Sequence, residues 1–229
     1  MKKVVVISLG GSLIVPENID FRFLEDFKHT LRKHYKKYKF VIVCGGGTIA
    51  RKYISILKAD KQPEKQLSLA GILATRANAR VMMQFFGKKD SNDKLPSDMK
   101  DIKENLKKNN VVICGALRYK PHSTSDGTAA RLAHFLGSGF INMTNIKGLY
   151  TDNPLTNKNA KFISEINWKD FEEMADKSKY APGQHFVLDQ EAASIIREYK
   201  IDTYIIGPHV KNIDKILKGK KFIGTLISG

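Results

Sequence analysis

At 229 residues and 42% hydrophobic, the chain is long enough to bury one sizeable core, so one compact unit is expected over 1–229. Thirty-nine Lys and Arg against 23 Asp and Glu leave a net charge of +16, which calls for an anionic partner: nucleic acid, a membrane surface or a phosphorylated small molecule. The longest apolar runs, at 4–9 and 41–44, have strand length and fall far short of the roughly 20 residues that span a bilayer.

Met-Lys-Lys-Val-Val-Val opens directly into a strand pattern with no apolar leader or cleavage site, so a cytoplasmic location is expected. Residues 4–9 read as the first strand. An amphipathic helix follows over 21–35, with Phe23, Leu24, Phe27 and Leu31 on one stripe. The basic stretch 34–39 (HYKKYK), like 218–221 (KGKK), carries no aromatic array of an RNA-binding sheet and reads as solvated surface. The run 40–44 is a second strand, 48–57 and 67–86 are helices, and the turn-rich 87–96 is a loop. A polar helix over 97–108 leads to a buried strand at 111–114. A helix over 125–136 and a strand over 140–143 come next, then a turn-forming stretch over 148–159. Helices over 168–174 and 189–199, the second capped by Asp189, precede a strand at 203–206, a helix at 213–217 and a last strand over 222–227. Cys44 and Cys114 each end an apolar run just before a glycine and sit in no metal-type spacing, so both are expected to be small buried residues and no protein metal site is expected.

Strands alternating with helices predict a mainly parallel sheet covered on both faces. In such a sheet the carboxyl ends of the strands share one edge. Three glycine-bearing loops follow three of the strands: Gly10-Gly11-Ser12, Gly45-Gly46-Gly47-Thr48, and Gly115 leading to Pro121, Thr124, Ser125 and Asp126. Glycine lets backbone amides approach phosphate oxygens, and a following helix adds its positive dipole end. Arg51, four residues beyond Gly47, is placed to reach back toward a phosphate held there, with a surface ion pair as its alternative. Neither the P-loop pattern nor G-x-G-x-x-G occurs, which argues against a Walker ATPase and an ordinary dinucleotide dehydrogenase.

Four blocks now stand in order: 4–12 (VVVISLGGS), 43–51 (VCGGGTIAR), 122–130 (HSTSDGTAA) and 144–154 (TNIKGLYTDNP). Together they resemble the successive signatures of the amino-acid-kinase superfamily. The triple glycine followed by Ala-Arg-Lys-Tyr, and 71–79 (GILATRANA), resemble the uridylate kinases of archaeal type. The resemblance implies an α/β fold, a three-layer αβα sandwich around a mainly parallel sheet. It also implies transfer of the γ-phosphoryl group of ATP to UMP with Mg2+, small-molecule nucleotides as partners, and a homo-hexamer.

Carried over by position, Gly10, Gly11, Ser12, Gly47, Arg51, Thr144, Asn145, Tyr150 and Asn153 would meet ATP. Gly46, Ser68, Tyr119, Lys120, Pro121, His122, Ser123, Thr124 and Ser125 would meet UMP. Gly10, Gly47 and Arg51 would act on the transferring group, with Lys147 as the first candidate to replace a lysine that many members carry at the position of Ser8. The acceptor would bind to the part before about residue 135 and ATP to the part after it. Ser68 and Asn153 stand where the family usually has aspartate, which keeps a different acceptor or a non-catalytic nucleotide-binding subunit open as alternatives. Asp126 reads as an anchor for its loop, and Thr124 and Ser125 also fit a helix cap.

Overall fold

The structure, a computed structural model, describes residues 2–119, 123–154, 156–177 and 187–229. Lys3–Leu9 (β1) leads through a one-turn helix, Gly11–Ile14 (α1), to Phe21–His34 (α2) and Tyr38–Cys44 (β2). Then come Gly47–Ala59 (α3), Glu64–Phe86 (α4), Met99–Lys108 (α5), Val111–Cys114 (β3), Ser125–Leu136 (α6) and Gly139–Met143 (β4). Three two-residue strands, Leu149–Tyr150 (β5), Phe162–Ile163 (β6) and Glu165–Ile166 (β7), precede Trp168–Lys177 (α7) and Gln190–Glu198 (α8). Thr203–Ile206 (β8), Lys211–Leu217 (α9) and Thr225–Ile227 (β9) complete the described elements.

The main sheet runs β3-β2-β1-β4-β8-β9-β7. Its first five strands are mutually parallel, and only the β8–β9 pairing is antiparallel. The register sets Leu9 beside Cys44 and Met143, and Val43 beside Cys114, so β1 to β4 end together at one edge. The chain moves from β1 outward to β2 and β3, then returns to lay β4 on the other side of β1. The crevice between β1 and β4 is therefore a switch point of the sheet, where ligands bind in open α/β folds.

Successive strand residues face opposite layers, as period-2 geometry requires. Val6, Val41, Val43 and Val112 pack with Ile102, Ala129, Phe171 and Ile196 from α5 to α8. Val5, Ile7, Ile42 and Ile113 pack with Phe23, Phe27, Met82, Phe86 and Ile213 from α2, α4 and α9. Two apolar layers on one sheet make the three-layer sandwich, and each fully buried side chain such as Phe27 contributes about 2–3 kcal/mol relative to exposure. Both cysteines are fully buried, and burial pushes the Cys114 thiol up to about 12 and Cys44 up as well.

Several boundaries moved for local reasons. Helix α5 starts at Met99 because the Asp98 carboxylate accepts from the Asp101 amide at 2.9 Å. Residues 10–12, read as a loop, begin a helical turn at Gly11. Within 148–159, Leu149–Tyr150 pairs antiparallel with Phe162–Ile163, a contact too short to leave a period in the sequence. The stretch 34–39 is not simply solvated. His34 is buried and its Nε2 lies 2.9 Å from Asp214, Tyr38 donates to the Leu217 carbonyl at 2.9 Å, and the Lys39 ammonium bonds the carbonyls that end α5. Among the described residues no helix is long and apolar enough to cross a membrane.

Candidate active site

The loops after β1 and β2 meet backbone to backbone. A Cβ at Gly11 would collide with the Gly47 amide nitrogen and stand 2.6 Å from the Gly45 carbonyl oxygen. Gly47 has φ +58°, a conformation that a side chain strains, and a Cβ there would overlap the Gly11 carbonyl. Hydrogen bonds hold the approach: Gly45 N to Leu9 O at 2.9 Å, Gly10 N to Met143 O at 2.9 Å, and the buried Asn78 amide to Gly45 O at 2.8 Å. The two glycine loops thus form one continuous amide surface over the switch point.

Above it lies a cavity of about 380 Å3, within the usual size of ligand sites. Gly10, Gly11, Ser12, Gly46, Gly47, Arg51, Ser68, Ser123, Thr124, Ser125, Thr144, Asn145 and Asn153 all line it. The N-terminal turns of α1, α3 and α6, with the cap of α8, open on this cavity through Gly11, Gly47, Ser125 and Asp189. The starts of α1 and α3, which carry no side-chain cap, make it a place for anions. Among the described lining residues, Arg51 is the sole Lys or Arg, and it donates from Nη2 to Thr48 Oγ1 at 3.0 Å.

Three expected contacts lie elsewhere. Lys147 is exposed and does not line the cavity; its ammonium sits 4.5 Å over the Phe162 ring, because the β5–β6 hairpin offers an aromatic face beside it. Tyr150 packs edge-on against the same ring at 5.4 Å. Tyr119 lies outside the lining, with the Lys65 ammonium 5.9 Å over its ring. Lys120, Pro121 and His122 fall outside the described residues.

Two carboxylates line the cavity that were read only as structural. Thr124 caps α6, its Oγ1 accepting from Gly127 N at 3.1 Å, and donates in turn to Asp189. Asp189 caps α8, accepting from Ala192 N at 2.8 Å. Ser8, 1% exposed, donates to Asp126 Oδ1 at 2.7 Å. Enclosure by protein, then the nearby Asp189 charge, pushes the Asp126 carboxyl up to about 7 against the pull of the Ser8 bond. Burial pushes Asp189 up too. The signal for both was a polar residue at the start of a helix that itself begins at the strand-end edge.

A testable consequence follows from the sign of that shift. The folded chain keeps the Asp126 proton where the unfolded chain has lost it, so the associated stability is fully present below about pH 4 and is lost as pH rises toward 7. Asp126→Asn should therefore lose less of its unfolding midpoint than the parent between about pH 5 and pH 8. Thermal melts across that range that fall in parallel would remove the assignment.

The sequence profile of the Amino acid kinase family matches residues 3–207. The chain belongs to the amino acid kinase family. Among family members, it is 33% identical over 225 residues to the uridylate kinase of Archaeoglobus fulgidus, covering 98% of this chain and 99% of that one. It is 33% identical over 204 residues to the uridylate kinase of Pyrococcus abyssi, 89% of each chain. The crystal structure of the Archaeoglobus fulgidus uridylate kinase superposes over 100% of both chains with a TM-score of 0.83 at 32% identity. The UMP kinase structure from Ureaplasma parvum shares the family fold, with a TM-score of 0.77 at 23% identity over 100% of both chains.

Proposed function

We propose that this chain transfers the γ-phosphoryl group of ATP to UMP, giving ADP and UDP, and so serves pyrimidine nucleotide synthesis in the cytoplasm. The observation that carries this reading is the contact between Gly11 and Gly47: two amide-bearing loops, each suited to phosphate, touch at the switch point of a parallel sheet. A donor triphosphate on one and an acceptor monophosphate on the other are brought end to end. The uridylate kinase relatives, matched over nearly their whole length, support UMP as the acceptor.

The chemistry needs no protein base, since a phosphate oxygen is already ionised near neutral pH. It needs alignment and relief of charge on the transferring group. Gly11 and Gly47 would supply amides to that group and Arg51 its cation, with Gly10, whose own amide is spent on Met143 O, holding the first loop in place, while Ser12, Thr144, Asn145 and Asn153 would lie on the ATP side. Gly46, Ser68, Ser123, Thr124 and Ser125 lie on the UMP side. Apart from the loops after β1 and β2 and Arg51, which would meet ATP and the transferring group, the acceptor side would lie before about residue 135 and the ATP side after it.

Mg2+ would be held chiefly by ATP phosphates and water, as this ion commonly is. It would neutralise phosphate charge. Copies of the chain would assemble, as a hexamer, through apolar residues left exposed on α3 and α4: Tyr53, Ile56, Leu69, Leu73 and Val81.

Purified protein with ATP, Mg2+ and each nucleoside monophosphate in turn tests the reading. ADP release with UMP well above the others is the expected result. ATP binding by calorimetry with no turnover on any acceptor would overturn it.

A further inference from the structure

The middle of α6, the residue before its cap and the N-terminal turn of α8 are joined by a contact that serves neither helix alone. Arg131, in the middle of α6, pairs through Nη1 with Glu191 in the first turn of α8, and through Nη2 donates to Ser123 Oγ at 2.7 Å. The pair is largely withdrawn from water, with side chains 24% and 19% exposed. The Glu191 carboxylate packs directly over Gly127: a Cβ there would strike it, with Cδ at 3.0 Å. The neighbouring bond from Thr124 to Asp189 runs in parallel, cap to cap.

Ser123 lines the cavity, so one guanidinium fixes both a wall residue of the site and the start of the opposing helix. A planar fork satisfies two acceptors in fixed directions, which an ammonium cannot do. We infer that Arg131 is a positioning residue for the acceptor: by clasping Ser123 to Glu191 it sets the wall against which the monophosphate lies. This inference rests on the kinase reading and refines its acceptor side.

Steady-state kinetics with UMP and ATP varied separately test it, on wild type, Arg131→Ala, Arg131→Lys, Ser123→Ala and the double variant Arg131→Ala with Ser123→Ala. Arg131→Ala should raise KM for UMP about tenfold, the scale of one charge-assisted hydrogen bond, and leave KM for ATP within about twofold. Ser123→Ala should raise the same KM, and the double variant should be no worse than Arg131→Ala, because the two act as one unit. Arg131→Lys should recover the melting temperature but not the full UMP affinity. If Arg131→Ala does not fold, Ser123→Ala and Arg131→Lys decide alone. A lower melting temperature with unchanged KM for UMP, or effects that add in the double variant, overturns the assignment alone. A wild type that does not phosphorylate UMP overturns the functional reading and this inference with it.

Discussion

Gly11→Ala should reduce phosphoryl transfer by roughly 100-fold or more, because the methyl group has nowhere to go and the obstacle is backbone on the reacting side. It would stand 2.6 Å from the Gly45 carbonyl oxygen and overlap the Gly47 amide nitrogen. The Gly45 side is not free to retreat, nor is the strand end that carries Gly11. Gly45 is held by Leu9 O and by the Asn78 amide, and Gly10 by Met143 O. The loops must part, which separates the two phosphate surfaces and costs about 1–3 kcal/mol of stability as forced overpacking does. Gly139→Ala is the control, since its methyl would meet only the Asp202 carbonyl at 3.8 Å. Rates and melting temperatures measured on both variants check the prediction; a Gly11→Ala enzyme that keeps its rate would mean the loops need not touch during turnover.

This contact marks how far the sequence could be read. Apolar runs such as 40–44, each ended by glycine, made the parallel sheet and its loop-bearing edge legible, because strand period and turn chemistry are local properties. That the first two loops interlock was not legible, since it depends on the register that sets Leu9 beside Cys44. Asp126 and Asp189 show the same limit. Each was read as a local anchor or cap, and both are, but the crossovers that bring α6 and α8 to one cavity also place the two carboxylates against it. Lys147 shows the limit from the other direction. Its position after β4 put it at the correct edge, while its side-chain direction is set by Phe162, whose two-residue strand has no sequence period. Arg131 carried no signal, because a basic residue on a helix resembles any solvated charge until its partner is known.

Arg51→Ala should lower kcat by about two orders of magnitude while leaving the melting temperature nearly unchanged, in line with the loss of one transition-state donor. The two halves of that expectation have separate causes. Helix α3 buries no residue completely, and Arg51's side-chain bond is to Thr48 on its own helix, so truncation opens no core. In the cavity the consequences are larger. Among the described lining residues Arg51 is the one Lys or Arg in a cavity that two aspartates also line, and with Ser8 in the first strand no lysine stands there to share the load. Charge developing on the transferring phosphoryl group would then meet amides and helix ends alone. Arg51→Lys separates charge from geometry: it keeps a cation but loses the fork, and its rate should fall between the two. Single-turnover rates with saturating ATP and UMP isolate the chemical step. Wild-type rates in Arg51→Ala would transfer the whole task to the backbone and remove Arg51 from the mechanism.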